Sequence, residues 1–209
     1  MSSIIDRETF QRLTLMYLIA QFPDGVDNDR HLQKVLYLAT RDVEPKPFTF
    51  HFTEEGPFSR DASVRLLHMF ETDIVRRETP NGSARDATWM AHDTETCREF
   101  CEAYEEGLPQ HADALRASVA EFGSLKQGRL NGLLAADPRL QGLRCGRVLM
   151  RETSRRPVRV ALDDDLAEEL DMMLSPVFLQ SMRRMDRAMA QGEFDTSKVR
   201  VIRSLDEAF

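Results

Sequence analysis

The apolar positions of residues 7–22 recur at helical spacing, with Phe10, Leu13, Leu15, Met16, Leu18, Ile19 and Phe22 covering a broad face. That breadth predicts a helix buried over most of its surface and ended by Pro23-Asp24-Gly25. A second helix follows, with Asn28 or Asp29 as its cap; Leu32, Val35, Leu36 and Ala39 share one face, which Tyr37 and Leu38 widen. Pro45 and Pro47 then exclude helix. The pattern switches to strict alternation in Phe48-Thr49-Phe50-His51-Phe52, which puts three aromatic rings on one side of an extended segment. Gly56-Pro57 turns the chain, and Ser59 caps a third helix over 60–73 with Asp61 in its first turn. Leu66, Leu67 and Phe70 are the expected core positions of that helix. Two short segments flank Asn81-Gly82 within 74–90, the pattern of a hairpin.

Helical patterns continue over 94–106, 108–122 and 125–136, and a weaker one over 140–150 contains Gly142 and Gly146. Residues 151–157 read as a polar linker. Val158, Val160 and Leu162 alternate as a short strand, and Asp163-Asp164-Asp165 opens a helix over 166–174 at the end its dipole favours. Ser175-Pro176 starts another helix with serine as cap and proline at the first position, and Gly192 stops it. Residues 198–203 suggest a further strand, with Ser204 capping a last turn. The expected class is mainly α (α+β). Residues 1–150 would form a winged helix-turn-helix-like core, three helices then a hairpin, with a helical extension. Residues 151–209 would form a small strand-helix-helix region that binds a partner.

A chain of 209 residues can bury a substantial core. Its formal net charge of −7 tilts against nucleic acid as the main partner, because dedicated nucleic-acid binders carry a basic balance. On the expected third helix, Arg60 and Arg65 are offset by Asp61, Glu71 and Asp73, unlike a helix that reads DNA. The start of the chain has neither the basic end nor the apolar centre of a signal peptide, and no apolar run is long enough for a bilayer. Three cysteines, Cys97, Cys101 and Cys145, do not make a disulfide framework, so a cytoplasmic setting is expected.

Candidate chemistry is sparse. Cys97 and Cys101 lie one helical turn apart with His92 upstream, but a closed zinc site needs a second pair of ligands. Cys145 has no neighbouring base, the histidines are scattered, and neither a phosphate-cradling glycine loop nor Gly-x-Ser-x-Gly occurs. No catalytic residue, metal ligand or cofactor is therefore assigned. The helix after Pro176 carries a more specific feature. Phe178, Met182, Met185 and Met189 form one stripe, with Arg183, Arg184 and Arg187 opposite. Methionine suits a surface that adapts to a partner, and it equally fills irregular cores; both readings stand. The strand-helix-helix order also admits a ribbon-helix-helix, in which Arg155, Arg156 and Arg159 would contact DNA.

The blocks Leu32-Gln33-Lys34-Val35-Leu36-Tyr37-Leu38-Ala39 and Gly56-Pro57-Phe58-Ser59, separated by the aromatic segment, resemble the Panacea domain of SocA-like antitoxins and the related YwgA-type proteins. Lys34, Tyr37, Gly56, Pro57, Phe58 and Ser59 match that family's motif; Glu55 stands where the family usually has an aromatic residue. The likeness extends over residues 8–140. It implies a winged-helix scaffold in a non-catalytic, cytoplasmic protein of bacterial or phage type. Such a protein binds a toxin encoded next to it and neutralises it directly or as a proteolytic adaptor. Self-association and DNA would be secondary, with no membrane partner. The ending Ser204-Leu205-Asp206-Glu207 is similar to antitoxin tails. The alternative is a transcriptional regulator using the winged helix or the C-terminal ribbon.

Overall fold

The first predicted helix, α1 (Arg7–Ala20), is buried all round from Thr9 to Ile19 and forms the axis of the molecule. The computed structural model describes residues 2–79, 87–92, 95–153 and 157–191. Asp6 caps α1, its carboxylate accepting from the backbone N–H groups of Glu8 and Thr9. Polar side chains on a fully buried helix need internal partners. Gln11 Nε2 donates to the Pro47 carbonyl at 2.8 Å, and Thr14 Oγ1 meets the Tyr104 hydroxyl at 3.1 Å. The Tyr17 hydroxyl donates to Glu105 at 2.6 Å, and its ring stacks on Tyr104 with centroids 4.8 Å apart. Desolvation raises both tyrosine pKa values above their ordinary range, so these hydroxyls stay protonated as donors.

A tight turn leads from α1 into the short strand β1 (Val26–Asp27), then α2 (Asn28–Thr40). The Asn28 side chain accepts from the N–H groups of Arg30 and His31, while Asp27, formally at the cap position, makes no such bond. After the aromatic segment comes α3 (Arg60–Glu71), followed by β2 (Val75–Glu78) and β3 (Thr88–Ala91). These last two pair antiparallel, Val75 opposite Ala91 and Glu78 opposite Thr88, as the hairpin reading expected; residues 80–86 lie outside the described residues. Val26 pairs with Trp89, so β1 adds to the outer side of β3 and the sheet order is β1-β3-β2. A strand of two residues is too short to show any period, so no pattern in the sequence marks it.

The aromatic segment forms β4 (Phe50–Thr53), which hairpins onto β5 (Gly56–Phe58) and pairs on its other side with β6 (Val148–Met150). Phe48 and Phe50 are fully buried, and the Tyr37 ring lies 5.5 Å from that of Phe50. The helix expected over 140–150 is absent. Gly142 and Gly146 take left-handed backbone angles (φ +71° and +87°), which break a helix, and the chain emerges as a strand.

Of three more helices, α4 (Glu95–Gly107) and α5 (Pro109–Phe122) pack on α1 and α2, and α6 (Gln127–Ala136) meets α2 through Asn131, which accepts from Lys34. The C-terminal strand, β7 (Val158–Val160), pairs antiparallel with β8 (Ser3–Ile5) at the other end of the chain, Ser3 opposite Val160. Helix α7 (Asp164–Met173) follows, capped by Asp163, and Ser3 Oγ donates to the Leu162 carbonyl at 2.9 Å. The boundary expected at residue 150 is thus crossed by a sheet, and Val158, Leu162, Leu170 and Leu174 lie in one apolar core with Ile5 and Phe10. The last described helix is α8 (Pro176–Ala190), capped by Ser175 as the sequence indicates. The expected strand over 198–203 and the Ser204 cap fall outside the described residues. Among those residues no helix is long and apolar enough to cross a membrane.

Two buried histidines make stability depend on pH. His111 of α5 sits edge-on to Phe10, centroids 5.4 Å apart, and His31 of α2 is buried near Phe22. Desolvation lowers both imidazole pKa values below the ordinary one. Above a pH of about 6.5 both states are neutral and the full stability is present. As pH falls through that value the unfolded chain takes up protons first, and stability drops until the folded histidines also titrate. Melting temperature is therefore expected to fall between about pH 7 and pH 5, and His111→Gln should flatten the fall. An unchanged slope in that variant would rule His111 out as a source.

Candidate partner-binding surface

The inward face of α3 is Ala62, Leu66 and Met69, not the predicted Leu66, Leu67 and Phe70. Both stripes are apolar at helical spacing, so periodicity alone does not choose between them. Arg65, beside Ala62, Leu66 and Met69, meets two polar side chains of α1. Its Nη2 pairs with Glu8 at 2.6 Å and its Nε donates to Gln11 at 3.1 Å. The other apolar side of the helix faces outward. Val64 is 40% exposed, Leu67 49% and Phe70 39%, with Phe58 of β5 also 39% exposed near the start of the helix. Arg60 and Glu71 bound the stripe at its ends. Phe70 additionally touches Trp89 edge-on at 6.0 Å, linking the helix to the hairpin sheet.

Of the residues matching the family motif, most are structural. Ser59 is fully buried, and its hydroxyl accepts from the Ala62 N–H at 3.3 Å. Gln33 clasps the same residue, accepting from its N–H at 2.9 Å and donating to its carbonyl at 3.1 Å. Tyr37 packs beneath Phe50, and Pro57 is buried. Gly56 has φ +108°, a region closed to side chains, and a Cβ there would lie 3.2 Å from Lys34 Cε. Lys34 itself is 2% exposed, its Nζ donating to Asn131 Oδ1 of α6 at 2.5 Å. Phe58 is the motif residue that faces outward.

On α8 the stripe and the arginines are each partly covered: Phe178, Arg183 and Met185 are half-buried, while Arg184 and Arg187 are exposed. Arg183 pairs with Asp73, and Arg183, Arg184 and Arg187 help line a cavity of about 310 Å³ beside His68 and Thr72 of α3. Phe178 and Met185 are half-buried, while Met182 and Met189 are 38% and 52% exposed. None of these four belongs to the apolar core. Arg159 projects from β7 opposite Ile4, so that strand takes its partner from the same chain, where a ribbon-helix-helix takes it from a second copy. Arg155 and Arg156 lie outside the described residues.

All three cysteines are free: Cys97 is buried, Cys101 half-buried and Cys145 exposed. Cys97 is buried with Sγ 3.9 Å from the Ile74 carbonyl. Desolvation and neighbouring Cys97 push the Cys101 thiol up to about 12, far from a thiolate at neutral pH. Among the described residues no group of three or more His, Cys, Asp or Glu is placed to hold a metal ion. Compared with family models, curated proteins and solved structures, the chain matches none.

Proposed function

We propose that this protein works by binding another protein, as an antitoxin-like factor that neutralises a toxin directly or hands it to a protease, without catalysis. The observation that carries this reading is the outward face of α3. Helices α1, α2 and α3 followed by the β2–β3 pair, with β1 on the outer side of β3 and the β4–β5 hairpin inserted between α2 and α3, support reading this part as winged helix-turn-helix-like. In that arrangement α3 stands where a DNA-reading helix stands. Here its outer side offers Val64 and Leu67, and one of its two arginines is turned inward to Glu8 and Gln11. An apolar stripe rimmed by charge suits a protein groove, and base edges and phosphates have little to meet there. The overall charge of −7 accords with a basic partner. The half-exposed stripe of Phe178, Met182, Met185 and Met189 is the second surface assigned to that partner.

The test is co-expression with the product of the adjacent gene, scored by rescue of growth and by capture of that product on the tagged chain. Leu67→Asp should weaken capture by about thirtyfold, the effect of losing a central hot-spot residue, with melting temperature unchanged. Met182→Asp should act in the same direction. Equal capture by Leu67→Asp would remove α3 from the interface. Sequence-specific DNA binding with steep salt dependence, unaffected by Leu67→Asp, would favour the transcriptional regulator instead.

A further inference from the structure

A cavity of about 400 Å³ lies between β4, β5, the start of α2 and α6, and none of its residues belongs to the α3 face. That volume suits a ligand of one or two residues' size. At its inner side is Lys34, buried to 2% exposure. An ammonium has three donors, and among the described residues this one makes a single hydrogen bond, to the neutral amide of Asn131. The nearest carboxylate, Glu55, is engaged in an ion pair with Arg30 at the cavity mouth. A buried cation without an anionic partner is costly, and desolvation correspondingly lowers the Lys34 pKa.

Two further features narrow the chemistry of what would complete the site. Gln127 Oε1, also lining the cavity, is buried and accepts no hydrogen bond among the described residues, so it calls for an N–H or O–H. Phe52, Leu134 and Leu140 make an apolar wall. One inner ammonium with Glu54 and Glu55 at the mouth suits a single negative charge and opposes the double charge of a phosphate. We propose that this cavity binds a carboxylate carrying an adjacent N–H donor and an apolar side chain. That is the chemistry shared by the C-terminal residue of a peptide and by a free N-acyl amino acid. One carboxylate oxygen would accept from Lys34 Nζ and the other from the Asn131 amide, with the adjacent N–H donating to Gln127. The site stands independently of the partner being a toxin.

The test is a titration of the isotope-labelled full-length chain with N-acetyl-leucine, followed by the side-chain amide signals of Asn131 and Gln127. Saturable shifts are expected, with affinity in the millimolar range proper to so small a ligand. N-acetyl-leucinamide, which lacks the charge, should bind at least about tenfold more weakly. Lys34→Met should abolish the shifts. Ala135→Trp, which keeps the lysine and fills the mouth from α6, should do so too and covers the case in which Lys34→Met fails to fold. A peptide ending in leucine that binds at least as well as N-acetyl-leucine identifies a chain end as the ligand; a peptide that fails where N-acetyl-leucine binds identifies a free acid. Absence of saturable shifts in the parent protein overturns the proposal. So do equal binding of the leucinamide, and competition by inorganic phosphate as strong as by acetyl-leucine.

Discussion

Gly25→Ala is expected to cost about 3 kcal/mol of folding stability. Gly25 closes the turn between α1 and β1 at φ +81°, where an L side chain costs about 1–2 kcal/mol through its own backbone. The larger effect is spatial. A Cβ would lie 2.6 Å from Thr88 Cγ2, 2.7 Å from Met90 Cγ and 2.8 Å from the Trp89 carbonyl oxygen. The two side chains can shift, but the carbonyl belongs to β3, the central strand of the sheet, and moving it disturbs pairing with both neighbours. Gly142→Ala is the matched control: its φ is +71° and nothing lies within 4 Å of its Cβ. It should pay the backbone cost alone, about 1 kcal/mol. Urea unfolding measures both, and Trp89, the only tryptophan, reports from the strand itself. Equal losses in the two variants would mean that the turn and the sheet are not in the close contact described.

That turn illustrates what a single sequence conveys and what it hides. Proline and glycine after residue 22 marked the end of α1, yet nothing marked the two-residue strand that follows, because β1 exists only through its pairing with Trp89 and Thr88. The long amphipathic helices were legible because burial repeats at their period, and the cap of α3 was legible because Ser59 has a hydroxyl at the right place. The link between Ser3–Ile5 and Val158–Val160 joins segments more than 150 residues apart, and no local pattern encodes such a pairing.

The candidate surface was hidden for a different reason. Helix α3 carries apolar residues on two sides, and a period fixes a face only when its opposite is polar. Arg65, counted in the sequence only as a charge offset by Asp61, Glu71 and Asp73, lies beside the buried face. Glu8 and Gln11 of α1 hold it, while Val64 and Leu67 face solvent. The usable signal was the coincidence of carboxylate and amide on one helix with an arginine on another. On α8 Arg183 pairs with Asp73, while the methionine stripe stays half-exposed.

Arg12→Ala is expected to be the most damaging single change, about 4 kcal/mol. Arg12 is 2% exposed on α1 and reaches across to the far end of α7, where Nη1 donates to the Leu174 carbonyl at 3.0 Å. The carbonyls at a helix C-terminus lack partners within the helix, and this one is buried with its residue. Left alone it costs about 1–3 kcal/mol. The cavity vacated by a long buried side chain adds about 2 kcal/mol. The ion pair with Glu8, at 3.0 Å, contributes less, because Glu8 is 40% exposed and solvent screens it. Arg12→Met separates these contributions: it refills most of the volume and leaves the carbonyl unmet, so about 2 kcal/mol should be lost. Because Arg12 fastens the C-terminal helices to the axis of the molecule, the alanine variant should also become susceptible to proteolysis around residues 174–176 before the remainder unfolds. Chemical denaturation of the three proteins gives the energies, and a limited digest gives the site. Should both variants stay within about 0.5 kcal/mol of the parent, the C-terminal segment is held by β7, β8 and the apolar core alone, and the guanidinium is a passenger.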